Sequence, residues 1–495
     1  MSRLGFDNNK YLEMQSRHIR ERIDKFGDKL YLEFGGKLFD DYHASRVLPG
    51  FQPDSKLQML LQLKDEAEIV IVINSFDIEK SKIRGDLGIT YDADVLRLID
   101  AFRGVGLYVG SVVLTCFNGQ SAAEAFQNKL ESLGIKVYRH FIIKSYPTDI
   151  DLVVSDEGYG KNEYIETSRR LVIVTAPGPG SGKMATCLSQ LYHEHKRGVK
   201  AGYAKFETFP IWNIPLKHPV NLAYEAATAD LNDVNMIDPF HLEAYGETTV
   251  NYNRDVEIFP VLSTMFEQIL GESPYKSPTD MGVNMAGNCI FDDEACRKAA
   301  NDEIIRRYYQ ALCDERKGLV SADVVAKTRL VMKQANLTAE ERPVIGAALE
   351  KAGQTGEPAC ALVLHDGTIV TGKTTKLLGA SSALILNALK VLGGIDDLIH
   401  LISPEIIEPI QHLKVDNLGN RNPRLHTDEV LIALSICAVT DSNAKTAMEQ
   451  LSKLKDCDLH SSVILSPVDL NVFKKLGIHV TCEPNYQTKK LYHAN

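Results

Sequence analysis

Residues 177–183, Pro-Gly-Pro-Gly-Ser-Gly-Lys, are the part of this sequence best suited to holding a phosphate group. Closely spaced glycines let backbone N–H groups approach an anion, and a lysine at the end of the segment adds a positive charge. We therefore predict a phosphate site built from the residues that supply these groups: Gly178, Gly180, Ser181, Gly182 and Lys183.

The segment lies between a predicted strand and a predicted helix. The apolar, β-branched run Leu171–Thr175 is typical of a buried strand, and Met184–Lys196 has helical spacing. A loop in this context ends at a helix amino terminus, where unpaired N–H groups and the helix dipole favour an anion.

The segment departs in two places from the phosphate-loop pattern G-x-x-x-x-G-K-[ST]. Pro177 stands where the first glycine belongs, and Met184 replaces the hydroxyl residue that binds Mg²⁺. Thr186, two residues further on, points to another side of the helix. ATP or another nucleotide is the candidate cofactor, with any need for Mg²⁺ left open. The alternative is a Gly/Pro-rich turn that binds nothing.

Catalytic candidates follow in a region rich in Asn, Asp, Tyr and Pro, residues 207–257, which we expect to form substrate-facing loops. Asp238 and Asp230 end apolar runs and are candidates for positioning a cation or an acceptor; helix capping is the alternative. Arg254 lies beside Asp255 and is predicted to balance charge on a phosphate, or to form a structural pair with that carboxylate.

Lys205 and Glu207 end the predicted strand Val199–Phe206. Because ligands of open parallel sheets bind at the carboxyl ends of strands, Lys205 is a further candidate for cofactor binding, with a surface salt bridge as the alternative.

The sequence predicts no metal site. Asp238, His241 and Glu243 are close enough along the chain to bind a cation, but such clusters are more often polar loop residues. His193-Glu194-His195 lacks the spacing of a zinc-protease helix. Near the carboxyl terminus, residues 421–426, RNPRLH, indicate either an anion site or an ordinary helix start.

Composition excludes several classes of protein. The formal net charge of −10 argues against nucleic acid as a partner, because a polyanion would be repelled. No apolar run is long enough to span a membrane or serve as a signal peptide. Nine cysteines without a CxxC pair are typical of a reduced, cytoplasmic protein.

Short apolar strands alternate with helices, as in an α/β protein with a mainly parallel sheet that contains the strand-turn-helix of a phosphate loop. We predict an α/β phosphate- or nucleotide-binding domain over 1–290, a helical subdomain over 291–355 and an α/β domain over 356–495, which has a role in assembly. A strand pair is expected around Leu30–Phe39, a hairpin turning at Asp366-Gly367, and strands at Ser462–Leu465 and Ile478–Thr481.

Over nearly its full length the chain resembles an uncharacterised bacterial family defined by domains of unknown function. The segments that carry the resemblance include YLEFGGK (31–37), RGDLGITYD (84–92), VTAPGPGSGK (174–183), GYAKFETFP (202–210) and NYNRD (251–255). Members are sometimes labelled ATP-dependent zinc proteases, which these residues do not support. The carboxy-terminal domain also resembles the cytidine-deaminase fold, without its zinc ligands at Ala380-Ser381-Ser382-Ala383.

Three functional hypotheses follow. The first is an enzyme acting on a small phosphorylated molecule by phosphoryl transfer. The second is a non-catalytic sensor of a nucleotide or phosphorylated metabolite, which Met184 favours because binding does not need the metal. The third is a structural assembly protein. The size of the chain and its second α/β domain suggest a homo-oligomer.

Overall fold

The computed structural model describes residues 3–488 except 37, 40, 85 and 86. The chain divides into two compact units. The first contains residues 4–224 and 233–297, and the second contains residue 3, residues 225–232 and the chain from 298 onward.

The first unit is built on a seven-stranded sheet. The strands of the whole unit, in the residues that the structure describes, are β1 Lys29–Phe34, β2 Ala67–Asn74, β3 Ile83–Arg84, β4 Ile89–Thr90, β5 Tyr108–Phe117, β6 Lys136–Phe141, β7 Leu171–Thr175, β8 Ala201–Phe206, β9 Asn235–Ile237, β10 Val250–Tyr252 and β11 Gly282–Val283. The order in the large sheet is β11-β8-β1-β7-β2-β5-β6, and each neighbouring pair is parallel. The pairs β3-β4 and β9-β10 form two small antiparallel ribbons.

Helices connect these strands. Those that lie or begin in the first unit are α1 Asn8–Phe26, α2 Tyr42–Val47, α3 Ser55–Gln62, α4 Ser75–Glu79, α5 Tyr91–Gly104, α6 Ser121–Ser132, α7 Ile150–Val153, α8 Lys183–Lys196, α9 Pro219–Ala227, α10 Pro239–Tyr245, α11 Asn253–Leu270, α12 Pro278–Met281 and α13 Asp293–Arg316. One buried cluster joins Tyr31 of β1 and Val172 of β7 to Leu188 of α8 and Phe266 of α11. The helices α8 and α11 therefore cover the same face of the sheet.

The sequence predicted this architecture because its central strands are buried on both faces. All but the last residue of β2, AEIVIVIN, are buried, as are all five of β7, so their apolar runs show no alternation. The α/β fold with a mainly parallel sheet is confirmed. The predicted strand pair around Leu30–Phe39 is wrong: of the described residues there, only those of β1 form a strand, and β1 pairs with β7 and β8.

The second unit has a four-stranded mixed sheet. Its strands are β12 Ala359–Val363, β13 Ile369–Lys373, β14 Asp458–Ser461 and β15 His479–Cys482, in the order β13-β12-β14-β15. The hairpin at Asp366-Gly367 is confirmed, with Gly367 at φ 88°. The strand predicted at 462–465 is wrong, because β14 ends at Ser461. Its pairing with β12 stops there, and Ile464 instead hydrogen-bonds the carbonyl of Asn485.

The helices of the second unit pack mainly around this sheet. After α13 they are α14 Ala322–Gln334, α15 Pro343–Thr355, α16 Ala380–Gly393, α17 Pro404–His412, α18 Thr427–Cys437, α19 Ser442–Met448 and α20 Pro467–Lys475. Val344 and Ala348 of α15 contact Ala361 of β12. Residues 291–355, predicted to form a helical subdomain, contain the helices α13, α14 and α15, while the predicted domain boundaries stay a prediction.

Candidate functional site

The strand order of the first unit places a topological switch point at the carboxyl ends of β1 and β7. From β1 the chain crosses β7 to reach β2, and from β7 it crosses β1 to reach β8. Since such crossovers are right-handed, the two connections leave on opposite faces, and ligands of open α/β sheets bind at this kind of switch point. Gly35-Gly36 follows β1 and the glycine loop, residues 176–182, follows β7.

The glycine loop is held in one conformation by its neighbours. Thr115 Oγ1 of β5 donates to the carbonyl of Ser181 at 2.7 Å, and Ser181 Oγ donates to the carbonyl of Gly178 at 2.7 Å. A Cβ on Gly178 would collide with the Tyr91 ring of α5. The hydroxyl proton of Ser181 is therefore used inside the loop, and the shape of the loop depends on β5 and α5.

Two glycines of the loop have left-handed backbone conformations. Gly180 has φ 73°, and Gly182, the N-cap of α8, has φ 89°. Such conformations cost side-chain-bearing residues free energy, so glycine is needed to turn the chain into the helix. The turn places the loop directly before the unpaired N–H groups of the first turn of α8.

Lys183 is the first residue of α8 and is half-buried. Its side chain makes no ion pair or hydrogen bond with the described residues, so its ammonium group is available to a ligand. Met184 packs against the apolar cluster beneath α8, which explains why no hydroxyl stands there. Thr186 is fully buried, and its Oγ1 has no hydrogen-bond partner within the described part of the chain.

Lys205, predicted as a phosphate ligand, instead lies among carboxylates. In the parallel register of β1 and β8 it is opposite Glu33. Its Nζ contacts the carboxylate of Asp255, at the start of α11, and lies 2.7 Å from Glu207 Oε1. The pairing of Arg254 with Asp255, one of the two readings of their adjacency, is wrong: Asp255 pairs with Lys205, and Arg254 Nη2 is 3.2 Å from the buried Asp233.

Two tyrosines complete this group of residues, which we call the Lys205 cluster: Glu33, Tyr203, Lys205, Glu207, Tyr252 and Asp255. Tyr203 donates to Glu33 at 2.8 Å, and Tyr252 donates to Glu207 at 2.8 Å. All six side chains are buried or nearly so. The cluster forms the polar end of the sheet face that α8 and α11 cover.

Burial and charge strongly perturb the protonation of the cluster. Burial raises the pKa of Glu207 to about 7; the charge of Lys205 opposes this increase and that of Asp255 adds to it. Burial would lower the pKa of Lys205, but the carboxylates of Asp255, Glu207 and Glu33 outweigh it and raise that pKa. At neutral pH Lys205 is therefore an ammonium ion, and Glu207 is poised between its two protonation states.

Aromatic rings lie beside the cluster. Tyr224 stacks on Phe209 at a centroid distance of 5.4 Å and on Tyr252 at 6.0 Å. The guanidinium of Arg254 lies 5.8 Å from the Tyr252 ring, and Asp233 raises the pKa of Arg254 against the effect of burial. Arg254 is thus oriented by Asp233 and Tyr252, while more than half of its side chain stays exposed.

The structure does not bring Asp238 into contact with the glycine loop. Asp238 is the N-cap of α10: its Oδ1 accepts from the backbone N–H groups of Phe240 and His241, and its Oδ2 accepts from Thr279. Asp230 is exposed and belongs to the second unit. Among the described residues, no three or more His, Cys, Asp or Glu side chains are grouped so that they could hold a metal ion. Asp238, His241 and Glu243 therefore do not form such a group.

The other sequence candidates have structural partners. Glu194 is fully buried and accepts from Lys29 at 2.8 Å and from Tyr31 at 2.6 Å. In the second unit, His426 is the N-cap of α18, in a capping box with Glu429. The helix-start interpretation of RNPRLH thus has a direct structural basis at its last residue.

Glu33 and Thr115 are site residues that the sequence patterns did not predict. Glu33 interrupts the apolar strand KLYLEF, and Thr115 interrupts the apolar run of β5. A buried polar residue near the carboxyl end of a parallel strand is the signal that could have found both. Of the segments shared with the resembled family, Lys37, Gly85 and Asp86 lie outside the described residues.

The fold defines the class: an α/β protein with an open, parallel seven-stranded sheet. The chain belongs to the family described as Domain of unknown function DUF1846, whose N-terminal model matches residues 4–336 and whose C-terminal model matches residues 340–492. The predicted family resemblance is therefore confirmed.

Relatives of the same length share most of the sequence. A UPF0371 protein of Corynebacterium diphtheriae is 62% identical over 490 residues, which cover 99% of both chains. One from Corynebacterium urealyticum is 60% identical, again over 99% of both chains, and one from Streptococcus thermophilus is 59% identical over 99% of this chain and 100% of the relative. No helix in the described residues is long and apolar enough to cross a membrane.

Proposed function

We propose that this protein binds a small phosphorylated molecule, with the phosphate in the glycine loop. The observation that carries the proposal is Lys183, a half-buried lysine without an ion-pair partner among the described residues, at the start of α8. Lysines of this kind are usually solvated at the surface or paired with a carboxylate. At this position the ammonium group and the helix N–H groups can reach the same anion.

The glycine loop also suggests which ligands are favoured. Met184 packs into the core, so the loop offers no hydroxyl to a magnesium ion at that position. Binding through N–H groups and Lys183 does not need the metal. We therefore expect a phosphorylated metabolite or a nucleotide to bind without Mg²⁺. Roles for Asp238, Asp230 and Arg254 in phosphoryl transfer stay predictions.

Thermal unfolding with inorganic phosphate, pyrophosphate and ATP, each with and without Mg²⁺, tests the proposal. A ligand at 100 times its Kd should stabilise the protein by about 2.7 kcal/mol. We expect Lys183→Ala to abolish the stabilisation. The matched control is Lys196→Ala, at the other end of α8, where the lysine is exposed and paired with Asp156. Stabilisation that survives Lys183→Ala, or none in the wild type, would contradict the proposal.

A second candidate function is assembly through the second unit. Ile432, Ile436 and Val439 follow one another at helical spacing on or just after α18 and are 61%, 65% and 82% exposed. Neighbouring exposed apolar side chains favour self-association, which agrees with the predicted homo-oligomer. Light scattering tests this: Ile436→Asp should reduce the mass to that of one chain, and a wild type that is already monomeric would contradict the candidate.

A further inference from the structure

The phosphate site proposed above does not need the Lys205 cluster, which lies at the end of β8, next to the switch-point strand β1. Lys205 contacts Asp255 and Glu207 and lies opposite Glu33 in register. Three carboxylates around one ammonium group leave an excess of negative charge in a buried place. Such an arrangement is costly unless one carboxyl group takes up a proton.

Glu207 is the carboxyl group placed to take up that proton. Its Oε1 accepts from both Lys205 at 2.7 Å and Tyr252 at 2.8 Å, while Oε2 has no hydrogen-bond partner in the described residues. Lys205 has three N–H donors, of which two are used by Asp255 and Glu207, and its side chain is 17% exposed. A carboxylate oxygen and an ammonium proton without partners among the described residues therefore lie on neighbouring side chains, of which Glu207 is 4% and Lys205 17% exposed.

We propose that Glu207 and Lys205 transfer a proton at a carbon next to a carbonyl group, in a phosphorylated hydroxyaldehyde or hydroxyketone. Glu207 is the base and Lys205 stabilises the oxygen anion. This inference rests on the proposed function, since the phosphate in the glycine loop would hold the substrate. Asp255 and Tyr252 are positioning residues, which orient Lys205 and Glu207.

The reaction balances without a further reactant. The C–H bond breaks as its proton moves to Glu207, which becomes a carboxylic acid. The electron pair of that bond moves to the carbonyl oxygen, and the resulting enolate is paired with the ammonium group of Lys205. Return of a proton from Glu207 to the same carbon restores the substrate, and return to the neighbouring carbon, with the hydroxyl proton shifted between the two oxygens, gives the isomer.

Two features of the cluster suit this chemistry. A base is most effective when its pKa is near the working pH, which holds for Glu207 at about 7. An ammonium group in a buried site stabilises an oxygen anion far more than it would in water. Lys205 stays charged because Asp255 pairs with it throughout the reaction.

The test is exchange of substrate hydrogen with solvent. The full chain is incubated in D₂O at neutral pD with triose, pentose and hexose monophosphates, and deuterium at the carbon next to the carbonyl is measured by mass spectrometry. We expect exchange above the protein-free rate with at least one of them. Glu207→Gln should lower it at least 100-fold, because the amide cannot accept the proton.

Glu194→Gln is the matched control, because Glu194 is equally buried and hydrogen-bonded but lies in α8, with Lys29 and Tyr31 as partners. Its exchange should equal that of the wild type, and circular dichroism shows whether both variants fold. Absence of wild-type exchange with all three probes, or equal exchange in the folded Glu207→Gln variant, would overturn the inference. If the inference holds, Lys183→Ala should raise the KM for exchange of the sugar phosphate. If Lys183→Ala leaves this KM unchanged, the glycine loop does not hold the phosphate, while Glu207 is still the base.

Discussion

Glu33 of β1 and Lys205 of β8 lie opposite each other in parallel register, on the face of the sheet that α8 and α11 cover. Glu33 also pairs in register with Val174 of β7, the strand that leads into the glycine loop. One carboxylate of the Lys205 cluster thus lies next to the strand that leads to Lys183. The charged cluster and the predicted phosphate loop are consequently parts of one edge of the sheet.

Gly182→Ala should weaken phosphate binding and lower stability. At φ 89° an alanine is strained, and its Cβ would lie 3.1 Å from Thr115 Cγ2. We expect a loss of about 1–2 kcal/mol in the free energy of unfolding, measured by urea denaturation. Gly180→Ala has similar backbone strain but open space around its Cβ, so it should cost less. An equal or smaller loss for Gly182→Ala would show that Thr115 does not restrict the loop.

Thr115→Val should loosen the glycine loop. The substitution keeps the shape of a buried side chain but removes the hydrogen bond to the Ser181 carbonyl. A lost hydrogen bond of this kind costs about 1 kcal/mol, and pyrophosphate should bind more weakly by calorimetry. Thr115→Ser retains the hydroxyl and should restore affinity. If Thr115→Val binds pyrophosphate as the wild type does, the hydrogen bond does not shape the site.

The free energy of unfolding should fall as the pH rises from 5 to 7.5, because Glu207 loses its proton in this range. Its pKa is raised to about 7 in the folded protein from about 4.5 in the unfolded chain, so the folded state binds more protons in this window. Protonated Glu207 makes its full contribution to stability below the pKa that it has in the unfolded chain. This contribution is lost as the pH rises through the pKa that it has in the folded protein. The free energy of unfolding should fall by up to about 3 kcal/mol over this range. Glu207→Gln should remove this pH dependence. Urea denaturation at both pH values measures it; an unchanged pH dependence in the variant would contradict the assignment.

Asp255→Asn should lower the pKa of Glu207. Removal of the neighbouring negative charge relieves repulsion and leaves the ammonium group of Lys205 to pair with Glu207. Infrared spectroscopy detects the protonated carboxyl band, whose midpoint should move to lower pH. Glu207→Gln identifies the band by its loss. A midpoint that rises or does not move would show that Asp255 is not a source of the raised pKa.

The sequence predicts the sheet and the glycine loop because both depend on local patterns. Apolar runs such as β2 and β7 indicate buried strands, and Gly180 and Gly182 before Lys183 indicate a turn into a helix. The contacts of the site depend on residues far apart in sequence. Asp255 and Lys205 are 50 positions apart, and only the order of β1, β7 and β8 brings Glu33 beside them.

Local sequence patterns do not decide between two equally plausible partners. The adjacency of Arg254 and Asp255 suggested a pair, yet on α11 neighbouring residues point apart, so that each finds its partner elsewhere. Asp238 directly follows β9, a position that suits either a ligand or a helix cap. The hydrogen bonds that it accepts from Phe240 and His241 show that it caps α10.

A crystal structure of the protein grown with pyrophosphate would test the central claim most directly. We predict an anion within hydrogen-bond distance of the backbone N–H groups at the start of α8 and of Lys183 Nζ, and no anion in crystals of Lys183→Ala grown in the same way. Pyrophosphate bound elsewhere, with the glycine loop empty and Lys183 turned to solvent, would contradict the account.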